Sequence, residues 1–599
     1  MSLAQTQNPY ERQPRKIHLL HANTLNYDKK VDADRQTLHG DVQFRQDSCY
    51  MYCDSAYFYE NSNSMAAFGN VRMEQGDTLF VYCDSMFYDG NSMFGELYDN
   101  VHLIHRTPTS NTNLYTDYMT YDRETEEANY PDRGVMLDSL VHLRSSIGWY
   151  YPQRKLAFFQ YDVEGRVYER DSDWVRMGGM PETVYYPNDR LLHPRFKLYR
   201  DTLRYDFSTT VATVLGPSRI VNDSSAIHTR RGQFNTTTEE AHLYDHSWMT
   251  SPGRFATADT MFYNSKTGYG EAWGNVHAVD TTDCMQVRGD YAYYIDNDSV
   301  PQMGFITGRA LAMEYSSGDT LFLHADTLRA YTVLNYIAAD TVSHVEAIDT
   351  LGNTQVVIDS IRPAYVDSLR FMQAYYNVRY YRSDLQGVCD SLIYSAHDSL
   401  ATFVGNPVMW NSQYQITGDT IFAIVTRQGI QRAMIHPNAF LTQSHDESLS
   451  VRMDTLSPEQ RQALRIDTIH YDQILGNNLV CLFDSGRVSR LDMDGNVQII
   501  NYPEERDKTL IGLNQVIGNY LTVWFRNQKM EMLKIWPQPV GSLTPLPLVT
   551  DDMLYLNKFR WMAYLRPTDP NDVFRGIEMK EEDKQEVIKL FDEDELNGY

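Results

Sequence analysis

The stretch Cys83-Asp84-Ser85-Met86-Phe87-Tyr88 carries a pattern that runs through most of the chain. It consists of Asp, then Ser or Thr, then an aliphatic residue, with Tyr or Phe two places further on. The phrase returns as Asp54-Ser55-Ala56 with Phe58, Asp201-Thr202-Leu203 with Tyr205, Asp259-Thr260-Met261 with Tyr263 and Asp390-Ser391-Leu392 with Tyr394. Looser copies are Asn23-Thr24-Leu25 with Tyr27 and Asp117-Tyr118-Met119 with Tyr121. Alternate residues of a strand face opposite sides, so Leu203 and Tyr205 share one face while Thr202 and Arg204 share the other. A helix would need spacings of three and four, which the phrase lacks. The pattern predicts strands with one buried face and one mostly solvated face.

A second motif follows each phrase, as in Ala67-Phe68-Gly69-Asn70-Val71, Ala272-Trp273-Gly274-Asn275-Val276 and Ala401-Thr402-Phe403-Val404-Gly405-Asn406-Pro407. Glycine at that place fits a bulge or sharp bend. Units of roughly 20–30 residues, each strand–turn–strand–bend, cannot bury an apolar face alone and must stack. The recurring Asp is expected to cap the preceding turn through backbone N–H groups. A calcium ladder is the alternative use of the same carboxylates.

Residues 1–15 read as a loose segment and 16–330 as regular repeats. Residues 331–545 read as further repeats with a helical insertion over 366–372, where turn residues are missing. Trp536-Pro537-Gln538-Pro539 is expected to break the ladder into a Pro-rich link, and 546–599 to end in an acidic, helical tail.

Aromatic residues make up 13% of the chain, with 43 Tyr, which suits half-buried strands and excludes wholesale disorder. The net charge of −26 argues against nucleic-acid binding. No apolar run reaches the length of a spanning helix. Ser2-x-Ala4 followed by Gln5 resembles the end of a signal-peptide cleavage site, which points to export. Cys53 and Cys83 occupy the same place in neighbouring repeats, where they either stack closely enough to pair or stay as free thiols. No nucleophile elbow, phosphate loop or metal-binding helix motif is present, so no catalytic residue, metal or cofactor is expected. One basic cluster stands out: Arg190, Arg195, Lys197, Arg200, Arg204, Arg219, Arg230 and Arg231. Such forks suit phosphorylated headgroups, with Arg200, Arg204, Arg219, Arg230 and Arg231 as candidate contacts. The bland reading is charge balance on a solvated face.

The phrase and its partner motif resemble the OstA-like family of periplasmic lipopolysaccharide-transport proteins. The likeness is carried by Leu20-His21-Ala22-Asn23-Thr24-Leu25-Asn26-Tyr27 with Gly40-Asp41-Val42, by the stretch at Cys83, and by Thr257-Ala258-Asp259-Thr260-Met261-Phe262-Tyr263 with Gly274-Asn275-Val276. The resemblance implies an elongated, twisted, V-shaped β-jellyroll that holds the acyl chains of lipid A in an apolar groove. It implies a periplasmic location. The partners it implies are lipopolysaccharide, other transport proteins joined by end-to-end strand pairing, and further copies of the chain. The groove lining carried over copy by copy is Leu25, Tyr27, Ala56, Phe58, Met86, Tyr88, Met119, Tyr121, Leu203, Tyr205, Met261 and Tyr263. The residues alone leave two further readings open: a structural scaffold with a sealed core, and a carbohydrate-active enzyme on a β-repeat.

Overall fold

The computed structural model describes residues 16–575 except 28–33, 109–110, 139–140, 169–194, 223, 298–299, 317, 338–339, 349–353, 363–364, 412, 427–428, 445–469, 485–486, 506–509 and 527–528. The chain divides into two compact units, residues 1–266 and 267–599. Both are built from antiparallel strands.

In the first unit, β1 (His18–His21) and β2 (Thr24–Tyr27) pair with opposite halves of β3 (Arg35–Gln46). The chain then runs up and down through β4 (Cys49–Tyr59), β5 (Ser64–Gln75), β6 (Leu79–Asp89), β7 (Phe94–Arg106) and β8 (Asn111–Asp122). Each is antiparallel to the one before. Every pairing slips at mid-strand, for example between His39 and Val42, Tyr52 and Ser55, and Phe68 and Val71.

The slip changes which residues point inward. β4 buries Cys49, Met51 and Cys53, then Ala56 and Phe58; β6 buries Leu79, Val81 and Cys83, then Met86 and Tyr88. Each strand is therefore two short strands joined at a corner, and both halves present apolar faces to one interior. Phe44 on one half and Phe58 on the other meet there with ring centroids 5.5 Å apart. Each fully buried side chain of this kind contributes about 1.5–3 kcal/mol. The result is an all-β jellyroll whose two layers come from the same strands.

The corner explains the Gly-Asn motif. Gly69 and Asn70 both have positive φ, +75° and +46°, and a Cβ on Gly69 would stand 2.5 Å from Asp54 Oδ2. The recurring Asp does not cap a turn, as the sequence suggested. Asp54 accepts from the Asn70 amide (2.8 Å) and Asp84 from the Asn100 amide (2.7 Å), across to the next strand's corner. The turns are capped by other residues, Asp89, Asp122 and Asp206, whose carboxylates accept from backbone N–H groups two or three places on. Cys53 and Cys83 are free. They lie on β4 and β6 with β5 between them, a separation near 10 Å that no disulfide spans.

The second unit repeats the design in Tyr269–Asp280, Met285–Asn297, Val300–Glu314, Leu321–Ile337, Tyr365–Arg382 and Leu385–Ser395, with the same mid-strand slips. Residues 366–372 are strand, not helix. They lie within Tyr365–Arg382, which pairs with Leu321–Ile337 from Ile337↔Tyr365 to Phe322↔Tyr381. A lack of turn residues is as natural in a long strand as in a helix, and here the neighbouring strand supplies the ladder. Nor does Trp536-Pro537-Gln538-Pro539 end the sheet: Val540–Pro545 folds back onto Gly512–Ile517. The helical tail expected near the C-terminus lies outside the described residues.

Candidate functional site

The interior of the first unit is where the predicted groove lining gathers. Ala56, Phe58, Met86, Tyr88, Met119, Tyr121, Leu203, Tyr205 and Met261 are all buried in it. Tyr263 is half-buried, and Leu25 and Tyr27, on the edge strand β2, are 50% and 51% exposed. The interior is tightly filled. A gap of about 20 Å³ among Leu143, Leu198, Leu203, Tyr205 and Phe234 has room for a water and not for an acyl chain.

Three contacts close the mouth between the outer ends of the two halves. The Tyr88 hydroxyl donates to Gln46 Oε1, Tyr121 to Gln75 Oε1 (3.3 Å), and Tyr150 pairs with His105 Nδ1 (2.7 Å). Gln46 is on β3 and Tyr88 on β6; Gln75 is on β5 and Tyr121 on β8. Along the second half of the fold, Tyr150 likewise lies on the third strand past the one bearing His105. The constant offset of three strands reflects the twist of one layer against the other. Burial pushes the Tyr88 hydroxyl up to about 12 and the Tyr121 and Tyr150 hydroxyls higher still, so all three stay protonated. Burial also holds His105 below the usual histidine range.

Arg123 joins the first of these latches. The inward series of β8 runs Met119, Tyr121 and then Arg123, which is 9% exposed. Its Nη1 donates to Gln46 Oε1 (2.8 Å) and to the Tyr88 hydroxyl (2.6 Å). The sequence held a partial signal for it: the place two beyond the phrase's aromatic residue is Glu60, Gly90, Phe207, Ser265 and Ala396 in other copies, and a cation only here and at Lys29.

The basic cluster does not assemble at the mouth. Arg204, Arg219 and Arg230 are exposed, Arg204 on the outer face over the Phe158 ring at 6.0 Å. Arg231 pairs with Asp245 (3.2 Å) and Arg195 with Glu239 (2.5 Å). Arg200 is buried, donates to the Leu215 carbonyl (2.9 Å), and is pushed down to about 10 by desolvation. Arg190 lies outside the described residues. Among the described residues no group of three or more His, Cys, Asp or Glu could hold a metal ion.

In the second unit, the outer ends of the strands meet the chain's own C-terminal segment. From Leu546 to Phe574 it runs through short 3-10 turns past progressively earlier strands. Leu546, Val549 and Leu554 pack with Ile500, Tyr502, Leu510 and Leu513. Gln473 donates to the Leu554 carbonyl (2.8 Å) and accepts from the Leu556 N–H (2.9 Å). Gln415 repeats this with Arg560 (2.7 Å) and Met562 (2.8 Å), and Gln386 accepts from Arg566 (2.6 Å). Val573 and Phe574 end the run against Leu311, Met313 and Phe322. Spacing alone gave no sign of this strap.

A ladder of cornered strands closed on an apolar interior defines a repetitive β-jellyroll protein. Residues 14–173, which contain the latched mouth, match the family model described as OstA-like protein. No curated protein matches the chain. No helix among the described residues is long and apolar enough to cross a membrane.

Proposed function

We propose that the chain is a non-enzymatic carrier of lipopolysaccharide in the cell envelope. It takes the acyl chains of lipid A between the two layers of the first unit, on the route to the outer membrane. The observation that carries this reading is the mouth of the OstA-like stretch, where two largely apolar faces meet behind three polar latches. An acyl chain that enters replaces one apolar face with another, so the buried area changes little. What must be overcome is the latches, at about 0.5–1.5 kcal/mol each, or about 3 kcal/mol together. That is within reach of ordinary fluctuation and of a ligand. The strap favours the first unit over the second as the place for cargo.

Photo-crosslinking tests this. A photoreactive residue at Tyr88 or Tyr205 should crosslink to purified lipopolysaccharide, and at the outward neighbours Ser85 and Thr202 it should not. No crosslink at either inward site, in protein shown to be folded, sinks the carrier reading. The tight filling of the interior favours a second reading, a structural scaffold with a sealed core, and that outcome would support it.

A further inference from the structure

Arg123 sits where a guanidinium is costly to keep. It lies across the mouth of the first unit, 9% exposed, with its carbon 5.9 Å from the Tyr88 ring centroid. Its side-chain partners, Gln46 and Tyr88, are neutral, and its Nε has none. Glu126, three residues on in the same turn, bonds instead to Gln153 (2.5 Å) and Gln75 (3.5 Å). No carboxylate among the described residues bonds to Arg123. A buried charge without a counter-charge is strongly destabilising, and an apolar side chain would close the same seam at less cost. In a chain of net charge −26 the exposed surface repels anions, so a cation held in the mouth is a selective place for one.

We propose that Arg123 is an anion subsite: it takes a phosphate monoester of the kind borne on the sugars of a phosphorylated glycolipid, while the acyl chains lie beyond it in the interior. This rests on the carrier reading and adds to it the group that is recognised at the rim. The guanidinium fork matches two phosphate oxygens, and the Tyr88 hydroxyl is the neighbouring donor, while the Gln46 amide stays on the Gly90 carbonyl (2.7 Å). Engaging the anion withdraws Arg123 from Gln46 and Tyr88, so headgroup binding loosens the first latch. Recognition and opening are then one event.

The test is calorimetric titration of the full chain with three probes: an acylated glucosamine disaccharide carrying two phosphates, the same lipid after phosphatase treatment, and inorganic phosphate. Wild type should bind the phosphorylated lipid at least tenfold more tightly than the dephosphorylated one. Arg123→Gln should lose that preference, binding the phosphorylated and dephosphorylated lipids alike, and Arg123→Lys should keep part of it. A wild type that binds both lipids equally tightly, or an Arg123→Gln variant that retains the preference, overturns the subsite while the carrier reading stands. The wild-type comparison decides even if the variant fails to fold. If wild type binds neither lipid, yet inorganic phosphate binds in an Arg123-dependent way, the carrier reading fails. The anion site then stands with free phosphate as its source.

Discussion

The Asn100 side-chain amide donates to the Asp84 carboxylate at 2.7 Å, tying the corner of β7 to the corner of β6. Asn70 and Asp54 make the same tie one step earlier, and Asn438 and Asp419 make it in the second unit (2.9 Å). A motif that looks like two separate signatures in the sequence is one bond between neighbouring repeats. Asp84→Ala is expected to cost about 1 kcal/mol, since the pair is exposed and the net worth of such a bond is modest. A double-mutant cycle with Asn100→Ala, followed by denaturant unfolding, should return a coupling of that order. A coupling of zero would show that the tie only accompanies the corner.

The corner itself is stricter than the tie. Gly69→Ala places a Cβ 2.5 Å from the Asp54 carboxylate on a backbone with φ +75°. A loss of about 2 kcal/mol or more is expected from strain and displacement together. Asn70→Gly should cost less than Gly69→Ala, because the left-handed backbone is then free. The midpoints of urea unfolding would rank the two variants.

The strap of the second unit hangs on buried glutamines. Gln473 is fully buried, and Gln473→Ala leaves the Leu554 carbonyl and the Leu556 N–H without their side-chain partner. Each unpaired group costs about 1–3 kcal/mol, so the expected loss is about 2–6 kcal/mol. It should appear locally, as faster proteolytic cleavage between residues 554 and 562. Unchanged cleavage would mean that the apolar contacts at its two ends hold the strap without help.

The third latch should be sensitive to acid. His105, paired with Tyr150 and facing Lys155, has its pKa lowered on folding, first by burial and then by that lysine. The folded state therefore disfavours the proton that the unfolded chain accepts near the ordinary histidine value. The stabilising contribution is present above that value and is lost as pH falls below it, by up to about 1.4 kcal/mol per pH unit. Stability measured between pH 7 and pH 5 should fall further in wild type than in His105→Asn. Equal slopes would remove His105 from the pH response.

Much of the architecture is legible along the chain. Period two over Asp201–Tyr205 settles strand over helix and names the inward residues, because alternation across a strand is a property of adjacent positions alone. Gly-Asn marks the corner for the same reason: positive φ is a local demand. What lies on the far side of a corner is another matter. Arg200 is inward because Phe196, Leu198 and Arg200 count by twos up to the slip, which resets the phase at Leu203 and Tyr205.

Partners across the interior are less legible still. Gln46 meets Tyr88, and Gln75 meets Tyr121, only because the twist of the layers offsets them by three strands. Gln386 meets Arg566, 180 residues on, only because the chain turns back along its own second unit. The sequence by itself determined an all-β ladder with an apolar face and named most of that face. The tertiary structure alone decided that the face is closed, which residues latch it, and that a buried arginine stands at its mouth. Local repetition specifies how each strand is built, whereas contact between layers depends on twist accumulated over many strands.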